Sequence, residues 1–153
     1  MTTFTGSTSR PADSRPIRVL LVEDNPGDAD LTRETLEEGR SRVEVAVAID
    51  GAQALDRLLQ RPPYAAAELP DLILLDLNLP KVSGRDVLAQ IRQVPSLQSI
   101  PVVVLTSSDA EQDVFRSYAL GASGYVTKPV GLVAYQSIVR SVERFWFNLV
   151  EVR

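Results

Sequence analysis

The amino-acid sequence predicts a doubly wound α/β domain, in which helices cover both faces of a five-stranded parallel sheet. Short apolar runs rich in valine, isoleucine and leucine alternate with segments of helical periodicity. Several of these runs are apolar throughout, which is typical of strands that are buried on both faces of a sheet. The chain has 153 residues and suits one such domain, because two domains would leave each half without a core.

The predicted elements alternate along the chain as five pairs of a strand and a helix. Strands are predicted at residues 17–23, 43–49, 71–77, 100–108 and 123–129. Helices are predicted at residues 25–39, 50–60, 84–93 and 110–121, and from about residue 132 onward. Pro26 and Gly39 suit the two ends of the first helix, and Pro62 stops the second. Residues 1–16 are predicted to form a disordered tail, and residues 17–150 the folded domain.

Composition excludes several classes of site. The chain contains no histidine and no cysteine, which rules out Ser-His-Asp catalysis, thiol chemistry, disulfides and histidine-ligated zinc. Its net charge of −4 gives no basic excess, so neither nucleic acid nor an anionic membrane is expected as a partner. No apolar run approaches the roughly 20 residues of a bilayer span, and the N-terminus lacks the pattern of a secretion signal. A cytoplasmic location fits these features.

Polar residues stand where four of the five predicted strands end. Glu23 and Asp24 end the first strand, Asp76 the third, Thr106 the fourth and Lys128 the fifth. Each has an ordinary explanation on its own, such as a helix cap for Asp24 or a solvated charge for Lys128. The carboxyl ends of parallel strands, however, meet at one edge of a sheet, where ligands bind. Their combination at that edge indicates a functional site.

Carboxylates that meet at one edge repel one another unless a cation lies among them. Since histidine and cysteine are absent, Mg²⁺ or Mn²⁺ held by oxygen ligands is the expected ion. A carboxylate beside a metal ion, a lysine and a hydroxyl suits the capture of a phosphoryl group, because carboxylates attack phosphorus to give aspartyl phosphates. The pattern therefore favours phosphoryl chemistry.

Four stretches of the sequence resemble the receiver domain of bacterial two-component response regulators. They read VLLVEDN, LILLDLNLPKVSGRDVL, IPVVVLTSS and GASGYVTKPV, and the resemblance extends over about residues 17–142. It implies a flavodoxin-like fold with the strand order 2-1-3-4-5. The stretches NPGDADLT, RPPYAAAELP and VERFWFNLV are similar to those of single-domain regulators paired with bacterial phytochromes.

The resemblance also implies a role for each polar residue at the strand ends. Asp76 corresponds to the phosphoacceptor, and Glu23 and Asp24 to the acidic pair that holds Mg²⁺ together with Asp76. Many receiver domains have two aspartates at the acidic pair, and the longer glutamate suits a metal contact through water. The remaining site residues implied by the resemblance are a metal-binding backbone carbonyl at Asn78, a switch hydroxyl at Thr106, a phosphate-pairing lysine at Lys128 and a switch aromatic at Tyr125.

The function implied by the resemblance is that of a single-domain response regulator. A sensor histidine kinase, here a bacteriophytochrome, donates a phosphoryl group to Asp76 in a Mg²⁺-dependent phosphorelay, and the signal passes on through protein contacts. Such a protein is a phosphoacceptor rather than an enzyme, apart from slow self-dephosphorylation. Kinase docking is expected at the rim of the site, on Asp28, Leu31 and Val130.

Three other functions use a similar sheet. A flavodoxin-like redox carrier needs a phosphate-binding loop after the first strand, where this chain places the acids of VEDNPGD. A phosphatase of the haloacid dehalogenase type needs a second aspartate two residues after its nucleophile, and Asn78 holds that position. A receiver fold that only binds partners would not need Asp76, Thr106 and Lys128 together.

The last predicted helix indicates a homodimer. Its apolar residues form an arc of roughly 140°, and its aromatic end is expected to extend past the short sheet, where it needs a partner. A two-fold dimer through the fourth helix, the fifth strand and the fifth helix would bury this end. The predicted interface comprises Tyr135, Phe145, Trp146, Phe147 and Leu149.

Overall fold

Five parallel strands form one sheet in the computed structural model. The model describes residues 16–38, 42–76, 79, 82–106, 124–127, 140 and 144, and for residues 106 and 124–127 it describes the backbone alone. The strands are β1 (Ile17–Val22), β2 (Val43–Ala48), β3 (Leu72–Asp76), β4 (Val102–Thr106) and β5 (Gly124–Thr127). They lie in the order β2-β1-β3-β4-β5, and every neighbouring pair is parallel. The predicted fold class and strand order are confirmed.

Three α-helices lie between the first four described strands, and each of them begins at a side chain that accepts a backbone N–H. They are α1 (Pro26–Glu37), α2 (Gly51–Leu58) and α3 (Gly84–Gln93). Asn25, Asp50 and Ser83 cap them, with donor-to-acceptor distances of 3.0, 2.8 and 3.2 Å. Such caps satisfy N–H groups that have no partner within the helix, so the sequence itself sets where each helix starts.

The last two predicted helices lie almost entirely outside the described residues. Within the final one, Arg140 and Arg144 are helical and exposed. Their spacing of four residues places them on one face of a helix. The division into a tail at residues 1–16 and a domain at residues 17–150 stays a prediction. In the part of the chain that the structure describes, no helix is long and apolar enough to cross a membrane.

Strand β3, most of β1 and residues 102–105 of β4 are buried on both faces of the sheet, as their apolar sequences predicted. Alternate strand residues point to opposite faces. One set packs against α2 and α3 and includes Leu20, Val22, Ile73, Leu75, Val102 and Val104. The other set packs on the face covered by α1 and includes Val19, Leu21, Leu72, Leu74, Val103 and Leu105. This packing fixes the strands rigidly, so the residues that follow them are held at defined positions.

The segment between α2 and β3 is tied to both elements. Gln60 ends α2 in the left-handed region, with a φ of 57°, and its side-chain amide donates to the Ala67 carbonyl at 2.8 Å. The N–H groups of Gln60 and Arg61 donate to carbonyls of the last helical turn, which is the hydrogen-bond pattern of a Schellman motif. Asp71 exchanges two hydrogen bonds with the Arg18 backbone, at 2.7 and 2.8 Å. These bonds set the register with which β3 enters the sheet.

Candidate metal centre at the carboxyl edge of the sheet

Glu23 and Asp24 follow β1 directly and differ in their surroundings. The Glu23 N–H donates to the Ala48 carbonyl at 2.9 Å, which continues the β1–β2 ladder past the last strand residue. The Glu23 side chain is only 1% exposed, and its Oε2 accepts a hydrogen bond from the Asn25 N–H at 3.2 Å. Asp24 is exposed. The pair therefore offers one carboxylate inside the protein and one at its surface.

Asp76 is the last residue of β3 and is 5% exposed. It follows four leucine and isoleucine residues that are all buried, and it lies beside Leu105 of β4 in the sheet register. An ionised carboxylate at such a position costs several kcal/mol unless charges or hydrogen bonds compensate it. Its burial follows from its place in a central strand.

The three carboxylates come together at this edge. One carboxylate oxygen each from Glu23, Asp24 and Asp76 lies within 4.8 Å of the others. Two ligand oxygens on opposite sides of an octahedral Mg²⁺ ion are about 4.2 Å apart. The 4.8 Å within which the three carboxylate oxygens lie is only slightly larger. Three like charges so close repel one another, and a divalent cation among them removes the repulsion. The oxygen-only donor set and its spacing fit a hard cation.

The other predicted site residues are placed only in part. Thr106 is the last residue of β4 and is paired with Thr127, the last residue of β5, so the backbones of both end at the same edge as Asp76. Tyr125 lies within β5, where it is paired with Val104. The remaining predicted residues lie outside the described part of the chain, namely Asn78, Lys128, Val130, Tyr135, Phe145, Trp146, Phe147 and Leu149.

The structure assigns clear roles to two residues near the site that sequence reasoning did not single out. Asp50 is 8% exposed, and its Oδ1 accepts the Gln53 N–H at 2.8 Å while the Gln53 side chain accepts the Ile49 N–H at 2.8 Å. This pattern resembles a capping box, except that Gln53 accepts the N–H of the residue before the cap, and the spacing of Asp50 and Gln53 is its sequence signal. Asn25, rather than Asp24, caps α1.

The start of α2 packs closely against the segment that follows Asp76. A methyl group on Gly51 would contact the Val82 carbonyl oxygen and lie 2.8 Å from Val87 Cγ2. Only glycine fits such a close approach of backbone to backbone without displacement. Val82 belongs to the connection between β3 and α3, so α2 supports the loop that leaves the site.

Comparison with known proteins identifies the family. Residues 19–140 match the model of the response regulator receiver domain. The chain belongs to this family. Response regulator Rcp1 of Synechocystis is 45% identical over 139 residues, which are 90% of this chain and 95% of Rcp1. The protein is thus a response regulator of two-component signalling, and its chain forms a receiver domain.

Two solved structures resemble this receiver domain along most of its length. The phosphorylated cyanobacterial phytochrome response regulator RcpA is 46% identical, with a TM-score of 0.83 over 86% of this chain and 94% of RcpA. The Mn²⁺-bound form of Rcp1 is 45% identical, with a TM-score of 0.83 over 86% of this chain and 95% of Rcp1. The predicted resemblance to the regulators of phytochromes is confirmed.

Proposed function

We propose that this response regulator accepts a phosphoryl group on Asp76 from a sensor histidine kinase, with a divalent cation held at the same site. The observation that carries the proposal is the buried Asp76 carboxylate within 4.8 Å of Glu23 and Asp24. Three carboxylates this close repel one another, and a divalent cation bound among them lowers the repulsion. The same arrangement places a bound cation beside the Asp76 carboxylate, which is the proposed nucleophile.

Glu23, Asp24 and Asp76 are the side chains that would hold Mg²⁺, and the Asn78 carbonyl is a further proposed ligand. Mn²⁺ is a proposed substitute, which the Mn²⁺-bound form of Rcp1 supports. When bound, the ion supplies positive charge that offsets both the carboxylates and the incoming phosphoryl oxygens. Asp24 is exposed, so it gives the ion a route from solvent, whereas Glu23 and Asp76 supply the buried part of the site.

In the proposed step, an Asp76 Oδ attacks the phosphorus of a phosphohistidine on the kinase. The bond between phosphorus and the imidazole nitrogen breaks, and its electron pair stays on that nitrogen, so neutral imidazole leaves when the other ring nitrogen carries a proton. The product is an aspartyl phosphate. The donor histidine has to come from the partner, because this chain contains none. Lys128 and Thr106 are proposed to pair with the phosphoryl oxygens.

The proposed partner is a phytochrome-type sensor kinase in the cytoplasm, which the similarity to RcpA supports. Its docking site is proposed on the start of α1 and the segment after Lys128. Asp28 and Leu31 are both partly exposed on α1, close in sequence to Asp24. The protein acts as a stoichiometric acceptor with slow self-dephosphorylation, and neither nucleic acid nor membrane is a proposed partner.

Phosphorylation is proposed to reach other proteins through a switch and a dimer. Thr106 moves toward the phosphoryl group and Tyr125 turns inward, and this change alters a two-fold interface that includes Tyr135, Phe145, Trp146, Phe147 and Leu149. The added charge of about −1.5 to −2 biases a two-state element of this kind.

Intact-mass spectrometry tests the proposed function. The protein is incubated with acetyl phosphate and Mg²⁺, and the expected result is the mass of one added phosphoryl group. The same incubation with EDTA should give no addition. A protein that stays unmodified with Mg²⁺, or is modified equally in EDTA, contradicts the proposal.

A further inference from the structure

Asn25 connects the candidate metal centre to helix α1 through three hydrogen bonds. Its N–H donates to Glu23 Oε2 at 3.2 Å, its side chain accepts the Asp28 N–H at 3.0 Å, and its carbonyl accepts the Ala29 N–H at 2.9 Å. The last two bonds belong to the first turn of α1. The helix therefore holds the Asn25 backbone in place from one side, while the Asn25 N–H contacts the Glu23 carboxylate on the other.

We propose that the Asn25 N–H is a positioning group for the metal centre, which fixes the Glu23 carboxylate in the orientation that a divalent cation requires. This inference rests on the proposed function, because it gives a role to a residue that acts through the proposed ligand Glu23. Hydrogen bonds to ligating carboxylates orient them, and their loss typically weakens metal binding by about 10- to 100-fold.

The length of the Glu23 side chain is what makes this arrangement useful. Glutamate has more rotatable bonds than aspartate, so an unheld glutamate loses more conformational freedom when it binds an ion. The bond from Asn25 holds Oε2, and burial at 1% exposure restricts the rest of the side chain. Glu23 therefore meets the ion already ordered, with Oε1 as its proposed ligand atom. The glutamate at this position is thus matched to a backbone donor two residues further on.

Two substitutions at residue 25 separate the N–H from the side chain. Asn25→Pro removes both the N–H and the capping side chain, whereas Asn25→Ala removes the capping side chain alone. The φ of −88° and ψ of 113° at Asn25 are close to the values that proline adopts before another proline. Both variants lose the side-chain cap of α1, so the difference between them reports the N–H together with the restriction that proline places on the Asp24 backbone, and amide exchange separates these two contributions.

Isothermal titration calorimetry with Mg²⁺ measures the dissociation constant of each protein. The ratio of the dissociation constants, Asn25→Pro over Asn25→Ala, is expected to be about 10 to 100. A ratio near one overturns the inference, and it leaves the proposed function intact if the wild-type protein still binds Mg²⁺ and accepts the phosphoryl group. Wild-type protein that does not bind Mg²⁺ overturns both proposals.

Amide hydrogen exchange gives a second test that does not depend on the folding of Asn25→Pro. The Asn25 amide is expected to exchange more slowly in the wild-type protein than in Glu23→Ala, because the variant has no carboxylate to accept it. Exchange at Asp28 serves as the reference, since its acceptor is the Asn25 side chain. Equal exchange of the Asn25 amide in the two proteins contradicts the inference.

Discussion

Two aspartates stand at the ends of the two strands that flank β1, and both are almost fully buried. Asp50 is 8% exposed and follows β2, while Asp76 is 5% exposed and ends β3. Asp50 accepts a backbone N–H at 2.8 Å and begins α2. Asp76 instead lies among the carboxylates of Glu23 and Asp24. The same residue type with nearly the same burial therefore has two different surroundings.

The contrast shows that burial alone does not mark a functional acid. A carboxylate that accepts the N–H of a helix start is stabilised by that donor and by the helix dipole, so it needs no ion. A carboxylate that faces two others is repelled by them, and a cation that binds among the three lowers this repulsion. The neighbours of a buried acid, rather than its exposure, distinguish a structural residue from a site residue.

The largest difference between the two aspartates is expected in phosphoryl transfer. Asp76→Asn keeps the size of the side chain but removes the nucleophilic oxygen charge, so labelling by acetyl phosphate and Mg²⁺ should vanish. Asp50→Asn is the matched control and should be labelled like the wild-type protein, because asparagine also caps helices well. Intact-mass spectrometry measures the extent of labelling of both variants. Labelling of Asp76→Asn to the wild-type level would refute the assignment of the phosphoacceptor.

The next largest effect concerns stabilisation by metal. At a Mg²⁺ concentration of 100 times the dissociation constant, the free energy of unfolding should rise by about 2.7 kcal/mol. Asp24→Asn should lose most of this gain, and in EDTA it should be as stable as the wild-type protein or more so, because one of three like charges is removed. Urea denaturation measures the free energy of unfolding of the wild-type protein and of Asp24→Asn, with Mg²⁺ and in EDTA.

The control for this prediction is Asp30→Asn. Asp30 is also an exposed aspartate near the start of α1, but it pairs with Arg33 at 3.0 Å and lies outside the carboxylate cluster. It should keep the full Mg²⁺ effect. If Asp24→Asn and Asp30→Asn respond alike, the exposed carboxylate is not a ligand.

A smaller effect is expected where α2 meets the segment after Asp76. Gly51→Ala places a methyl group against the Val82 carbonyl and Val87, and overpacking of this kind costs about 1 to 3 kcal/mol of unfolding free energy. Gly27→Ala is the matched control near the start of α1, where the methyl group would meet only the Asn25 side chain at 3.3 Å. Urea denaturation should show no loss for Gly27→Ala. Equal stability of the two variants would show that Val82 and Val87 move aside without an energetic cost.

The smallest effect is expected for the structural aspartate. Asp50→Ala removes the cap of α2 and should lower the free energy of unfolding by about 0.5 to 2 kcal/mol. Asp50→Asn should recover most of this loss, since its side-chain oxygen can still accept the Gln53 N–H. Thermal and urea denaturation in EDTA measure the stability of Asp50→Ala and Asp50→Asn without any contribution from bound metal. A strong change in Mg²⁺ affinity on Asp50→Ala would mean that Asp50 belongs to the site after all.

Much of this architecture follows from patterns in the sequence. Continuous apolar runs predicted the parallel sheet. Helix α3 begins and ends at the predicted residues, because Ser83 caps it and apolar residues recur at helical spacing. Glu23, Asp24 and Asp76 were predicted to converge because the carboxyl ends of parallel strands share one edge, and the structure brings them together.

Other features depend on contacts that no local pattern records. Gln60 adopts a φ of 57° where glycine is the usual residue, and the acceptor of its side chain is Ala67, seven residues away. Periodicity likewise does not show that the Asn25 N–H holds Glu23, because the bond depends on how α1 leaves β1. The difference between Asp50 and Asp76 is also of this kind, although the capping-box spacing of Asp50 and Gln53 offered a signal.

Chemical mapping of the phosphoryl group on the wild-type protein tests the central claim most directly. After labelling with acetyl phosphate and Mg²⁺, borohydride reduces an aspartyl phosphate to an alcohol, and peptide mass spectrometry locates the reduced residue. The account predicts reduction at Asp76, with Asp50 and Asp24 unchanged. Reduction at Asp50 or Asp24, or labelled protein in which Asp76 is intact, would contradict it.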